Sequence, residues 1–189
     1  MLVVGLLAMT STRYTMKHLI TALGLCFSLL NLFVSTGQAA SRPQLPAVIW
    51  SDLSRRFPGW QPALPDAHVS DFWARERQLA PLDLAIASGD FNCDGKLDWA
   101  VHFVTARAER RLMVYLRRGK GYRYRTLDRG TPSGQRYIVI EPRGTRAISL
   151  STDRPFLYRC DSIGLHIFEK GGSSFIYESG RFRQVITGD

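Results

Sequence analysis

The sequence predicts a mainly β domain of the α+β kind. It reads as an antiparallel meander forming one twisted sheet, a small sandwich or a partial barrel, with an N-terminal helix packed on it. Three observations predict this. From Leu84 onward, short runs rich in β-branched and aromatic residues follow one another: LAIAS, DWAVHFV, RLMVYLR, YRYRTL, RYIVIEP, AISLS, SIGLHIF, SSFIYES and RFRQVIT. Gly, Pro, Asp and Ser separate them at close intervals, the pattern of hairpin-linked strands. A single stretch ahead of them, PAVIWSDLSRRF, has strong helical spacing. The 189-residue chain, less its first 39 residues, is long enough for one core and shows no internal repeat or linker.

Residues 1–39 are not domain sequence. From Met16 the chain reads MKHLITALGLCFSLLNLFVSTGQAAS: a basic start at Lys17 and His18, an apolar run to Val34, then small residues before Ala39 and Ala40. This is the layout of a secretory signal peptide, so the product is expected in the periplasm or medium with no transmembrane segment after processing. Residues 1–15 sit awkwardly ahead of it and read as a mis-assigned start. The single domain is expected over 40–189.

Within that domain Ile49, Leu53 and Phe57 recur at a four-residue step, predicting a helix over 46–57 that Pro58-Gly59 ends. A proline-rich entry follows, with a short helix starting near Ser70 or Asp71. The GKG at 119–121 and the pair Ser179-Gly180 read as hairpin turns.

Between the first two strands lies SGDFNCDGKLDWAV. Counted from Asp90, oxygen-bearing side chains fall at positions 1 (Asp90), 3 (Asn92), 5 (Asp94) and 9 (Asp98). Gly95 stands at position 6, Lys96 at position 7 can offer its carbonyl, and Leu97 reads as an apolar anchor. Ca²⁺ takes six to eight hard oxygen ligands and needs a sharp bend at position 6. An EF-hand is excluded, because Val101 stands where its bidentate glutamate belongs and the flanks are strands. Five protein ligands, completed by water, imply a modest affinity, in the range of roughly 10⁻⁴ to 10⁻³ M.

Residues 89–101, GDFNCDGKLDWAV, resemble the calcium-loop core of FG-GAP or VCBS-type repeats, in which the loop joins two strands of a propeller blade and binds Ca²⁺. The resemblance implies the ligand set Asp90, Asn92, Asp94, Lys96 (carbonyl) and Asp98. It departs at Cys93, which occupies position 4, and in standing alone, so a propeller does not follow. The tail CDSIGLHIFEKGGSSFIYESGRF resembles the ends of small secreted bacterial proteins with one such loop.

Processing would remove Cys26 and leave Cys93 and Cys160, an even pair that reads as one disulfide in an oxidising compartment. The net charge is +9, mostly from arginine. It concentrates in the predicted hairpin 110–129, where Arg117, Arg118, Lys120, Arg123 and Arg125 form either an anion-gripping strip or a solvated face that discourages edge pairing. His102 and His166 read as structural, the four tryptophans as core packing, and no nucleophile, zinc or phosphate-loop motif is present. These readings converge on an exported calcium-binding β-domain, a non-catalytic binding or structural module of the cell envelope. Its partner would be a protein or an anionic glycan or surface, not nucleic acid. The alternatives are a polysaccharide-active enzyme with a structural calcium and a polyanion or membrane-surface binder acting through the arginine hairpin.

Overall fold

Ile49 and Leu53, one helical turn apart, are the buried stripe of α1 (Ala47–Arg56). Pro46 stands just ahead, where a missing amide hydrogen costs nothing. Arg55 and Arg56 end the helix, where cations oppose the dipole. Both donate to Asp52, which also accepts from the Tyr115 hydroxyl and so ties the helix to the sheet below. The computed structural model describes residues 44–188, all within the second of two units, Ser41–Asp189. The predicted signal peptide lies outside the described residues.

The strands form two antiparallel sheets. In the first, β3 (Asp98–Val104) pairs with β4 (Arg110–Arg118) and β4 with β5 (Gly121–Gly130). Along the other edge of β3 run β1 (Gln61–Pro62) and β2 (Ile86–Gly89), paired at different heights. The second sheet has the order β6 (Arg136–Glu141), β9 (Ser162–Ile167), β10 (Gly171–Glu178), β11 (Arg181–Thr187), β7 (Arg146–Ser149), β8 (Arg154–Leu157). It departs from a simple meander: the β7–β8 hairpin leaves β6 and joins the far edge, so β9 takes the place beside β6. The expected turns form, with Gly119 at φ +57° and Ser179 and Gly180 at φ +48° and +80°, the positive angles that match the twist of the flanking strands.

Strand alternation sorts the side chains into layers. Trp99, Val101 and Phe103 of β3, with Met113 and Tyr115 of β4, face α1 and pack against Leu45, Ile49, Leu53 and Trp60. Ala100, Leu112 and Val114 point the other way, into a core shared with Ile138, Ile163, Leu165 and Phe175 of the second sheet. The two sheets are therefore a sandwich, with α1 on the outside of the first. Of the four tryptophans, Trp60 and Trp99 are buried and Trp73 half-buried, but Trp50 is exposed against Trp60.

A second helix, α2 (Ala67–Arg77), covers the outer face of the second sheet through Val69 and Trp73, which meet Tyr137, Val139 and Phe168. It begins before the predicted Ser70–Asp71 start, because Asp66 is held by its amide to the Gly134 carbonyl at 2.7 Å and the chain turns there. The two strands the sequence did not announce are β1, only two residues long, and β8, whose Pro155 is tolerated because β8 is an edge. Among the described residues no helix is long and apolar enough to cross a membrane.

Candidate functional site

The acidic run forms the connection from β2 to β3, and its carboxylates fold the loop onto themselves. Asp90 accepts from the amides of Asp94 (Oδ1, 3.0 Å) and Gly95 (Oδ2, 3.0 Å). The Asn92 side-chain oxygen accepts from the Asp94 amide at 3.1 Å, and Asp94 accepts from the Lys96 amide at 3.0 Å and its Nζ at 3.2 Å. These are nested side-chain-to-backbone turns, the local geometry Asp and Asn favour. Gly95, at position 6, has φ +76° with open space where a Cβ would stand, so glycine is needed there for the bend and not for space. Cys93 also takes a left-handed φ, +59°.

Asp98 differs from the rest. It is sealed from water, and its two oxygens accept from the amides of Phe91 (3.1 Å) and Arg117 (2.6 Å). Burial pushes its carboxyl up to about 6, and the charges of Asp94 and Asp90 add to the rise against those two hydrogen bonds. The apolar anchor of the loop is Phe91, wholly buried in the inter-sheet core; the expected anchor, Leu97, is exposed.

The donor chemistry suits a hard cation: Asp90, Asn92, Asp94 and the Lys96 carbonyl belong to one tight turn, and Asp98 closes its far end. Each carboxylate oxygen that accepts one N–H keeps a second lone pair. The side chains are nonetheless engaged with the backbone, and among the described residues no three His, Cys, Asp or Glu groups stand in an arrangement ready to hold a metal ion.

The sulfurs of Cys93 and Cys160 are bonded at 2.11 Å, with Cα atoms 5.2 Å apart. The loop is thereby joined to the segment entering β9, in the other sheet. Sequence reasoning missed the partner that reinforces this joint. Asp161 Oδ2 accepts from the Asp90 amide at 3.0 Å and its Oδ1 from the Arg143 amide at 3.1 Å. Gly89 permits the approach, since a Cβ there would stand 3.0 Å from the Asp161 carboxylate and from the Phe91 ring. An aspartate next to a cysteine was the available signal, but nothing in the sequence places it beside position 90.

The arginine hairpin is β4–β5, and strand alternation divides it. Arg117 stacks over the Tyr122 ring, 4.9 Å from its centroid, on the face that carries α1. Arg123 and Arg125 lie opposite Leu116 and Val114, on the face toward the second sheet. With Arg117 and Arg118 they line a concavity of about 320 Å³ that also touches Asn92 and Asp94. Lys120 sits at the exposed turn and does not line it.

On the outside of the second sheet, Phe72 and Trp73 of α2 border a cleft of about 470 Å³ with Tyr137, Glu141, His166 and Glu169. His166 Nε2 lies 3.2 Å from Glu141 Oε1. Gly164 and Gly172 make the room, since a Cβ at either would come within 2.7 Å of the imidazole. Glu141 reaches His166 from across the sheet, where single-strand spacing carries no signal, and Glu169 lies beyond the end of β9, in the turn that leads to β10.

No protein-family model, curated protein or solved structure matches the chain.

Proposed function

We propose that the chain is an exported calcium-binding β-domain, a non-catalytic binding or structural module of the cell envelope. One observation carries the reading: Asp98 is sealed from water at the end of a turn that already holds Asp90 and Asp94, and burial and those neighbouring charges raise its carboxyl to about 6. Lys96 offsets one of these three carboxylates, and the negative charge left over is what a divalent ion would relieve. Asp90, Asn92, Asp94, the Lys96 carbonyl and Asp98 would hold it, and the ion would neutralise the turn and fix the entry to β3. The likeness of residues 89–101 to the FG-GAP and VCBS-type loop supports the same choice of ion, and the Cys93–Cys160 bond suits an oxidising compartment.

The test is a melt and a calorimetric titration of metal-stripped protein. With a Kd near 10⁻⁴ M, calcium at about 10 mM stabilises by about 2.7 kcal/mol, and Mg²⁺ at the same concentration does much less. Asp90→Ala and Asp94→Ala should abolish the calcium-dependent rise. A melt indifferent to both EDTA and millimolar calcium, with no heat on titration, would remove the ion from the reading.

The concavity beside the loop favours a second reading, a binder of polyanions or anionic surfaces. Arg118, Arg123 and Arg125 line it, and guanidiniums on one sheet face can each engage a sulfate or phosphate. Retention on heparin should fall steeply with salt and drop clearly in Arg123→Gln/Arg125→Gln. Elution unchanged by that double substitution would assign the charge to a merely solvated face.

A further inference from the structure

The opposite end of the sandwich opens into a larger cleft, about 500 Å³, between the inner faces of the two sheets. Its charged wall is built from both. Arg110 of β4 is 4% exposed, a burial arginine rarely accepts unless it is paired. Its guanidinium pairs with Asp128 and donates through Nε to the Thr131 carbonyl at 3.2 Å. Gly130 makes this possible: a Cβ there would stand 2.6 Å from Arg110 Nη2. Arg136, at the start of β6, faces the same space from the second sheet, and Lys170 closes its rim. Among the described residues neither the Arg136 guanidinium nor the Lys170 ammonium has a side-chain hydrogen bond or ion pair. Arg110, Arg136 and Lys170 thus gather around one carboxylate, and Arg129 also borders the cleft.

His102 marks the same place from behind. It is wholly buried on the inner face of β3, and both its ring nitrogens lack a hydrogen-bond partner. Arg110 and Arg136 are close enough to act on it electrostatically, and with burial they keep its imidazole neutral. Burial and the neighbouring charge of Arg110 likewise lower the Arg136 guanidinium below its ordinary value, against the pull of Asp128. Cations that repel one another in a half-buried space gain most from an anion that neutralises them.

The cleft is not polar throughout. Its floor toward the far edge of the second sheet is Ile186 and Leu150, 53% and 59% exposed, and Ile148 and Leu157 on the adjoining β7–β8 hairpin are 54% and 52% exposed. An apolar strip therefore runs outward from the cationic wall.

We propose that this cleft binds an amphiphilic anion, a phosphate monoester whose head sits between Arg110, Arg136 and Lys170 and whose alkyl body lies along Ile186 and Leu150. A dianionic head is favoured by the excess of cations over Asp128, and guanidiniums offer paired donors to phosphate oxygens. The alkyl body covers surface that the fold leaves in water. The site is at the other end of the sandwich from the acidic loop and does not depend on calcium.

Calorimetry on the purified protein in calcium-free buffer tests it, with octyl phosphate below its micelle point, inorganic phosphate and octyl glucoside as probes. Octyl phosphate should bind saturably, at least about tenfold tighter than inorganic phosphate, the gain expected from covering two methylenes; octyl glucoside should not bind. Arg136→Gln and Lys170→Gln should each weaken both phosphates about tenfold, the loss of one charge-assisted contact. Ile186→Ser should weaken octyl phosphate and leave inorganic phosphate unchanged. Arg136→Gln alters a half-buried side chain and Lys170→Gln an exposed one, so melts showing both folded make their binding data decisive. Equal affinity for the two phosphates would overturn the amphiphile; binding unaffected by Arg136→Gln and Lys170→Gln would overturn the site.

Discussion

Moving metal-free protein from pH 7 to pH 4 is expected to cost about 3 kcal/mol of stability through His102 alone. Burial, with the charges of Arg110 and Arg136, brings this imidazole from 6.5 down to about 3. The unfolded chain therefore takes up a proton that the folded chain refuses. The stability His102 contributes is complete above pH 6.5 and is lost as pH falls toward 3. Asp98 works in the opposite sense. Its folded carboxyl is raised from 3.8 to about 6, so its contribution is complete below pH 3.8 and is lost as pH rises through 6. Over the same interval it returns about 2.4 kcal/mol on acidification. The two nearly cancel, and denaturant melts of the parent should show only a shallow change between pH 7 and pH 4. Single substitutions expose each part. His102→Leu keeps the volume, discards two unpartnered nitrogens and should be at least as stable at pH 7; it should then gain stability on acidification. Asp98→Asn should lose the full His102 share. If calcium binds as proposed, a saturating level should remove the Asp98 share as well, the ion then standing in for the proton. If the parent, His102→Leu and Asp98→Asn share one pH slope, neither group is coupled to folding as the structure implies.

His102 also shows where the sequence stops being legible. It sits in AVHFV, an apolar run whose alternation shows that His102 shares a face with Ala100, but alternation cannot say what lies across the gap. Arg110 and Arg136 come from strands in different sheets, and their meeting with His102 depends on how those sheets stack. The elements themselves could be read locally. Ile49, Leu53 and Phe57 announced α1 because their spacing is its cause, and Gly119, Ser179 and Gly180 announced turns because few residues tolerate those angles. The loop was legible for the same reason: Asp90, Asn92, Asp94 and Gly95 make their bonds within a few residues of one another. Its surroundings were not. Asp161 lies 71 residues from Asp90, Glu141 lies 25 from His166, and Phe91 replaced Leu97 as the anchor only because the second sheet closes over it. The strand order was hidden too, since the transfer of β7 and β8 to the far edge changes no local pattern.

The loop's longest-range tie carries the other large effect. Cys93–Cys160 spans 67 residues, and a bond closing such a loop removes enough unfolded-chain freedom to contribute about 4 kcal/mol in the chain-entropy model. Its position adds to this. Cys93 belongs to the turn between β2 and β3 of the first sheet, and Cys160 precedes β9 of the second, so the bond staples the two sheets at one end. Cys93→Ser/Cys160→Ser should therefore melt about 10 °C lower than the parent, the size of shift a domain of this length shows for such a loss. Reduction of the parent should give the same melt. The loop should not unravel in the variant, because the Asp161 bonds to the Asp90 and Arg143 amides and the Asp98 bonds to the Phe91 and Arg117 amides remain. Calcium affinity should fall only a few-fold, while Asp161→Asn added to the serine pair should lower both affinity and melting temperature further. A reducing agent that leaves the melt unmoved would mean that the unfolded chain gains nothing from the opened loop, and that the joint between the sheets rests on Asp161 and Phe91 instead.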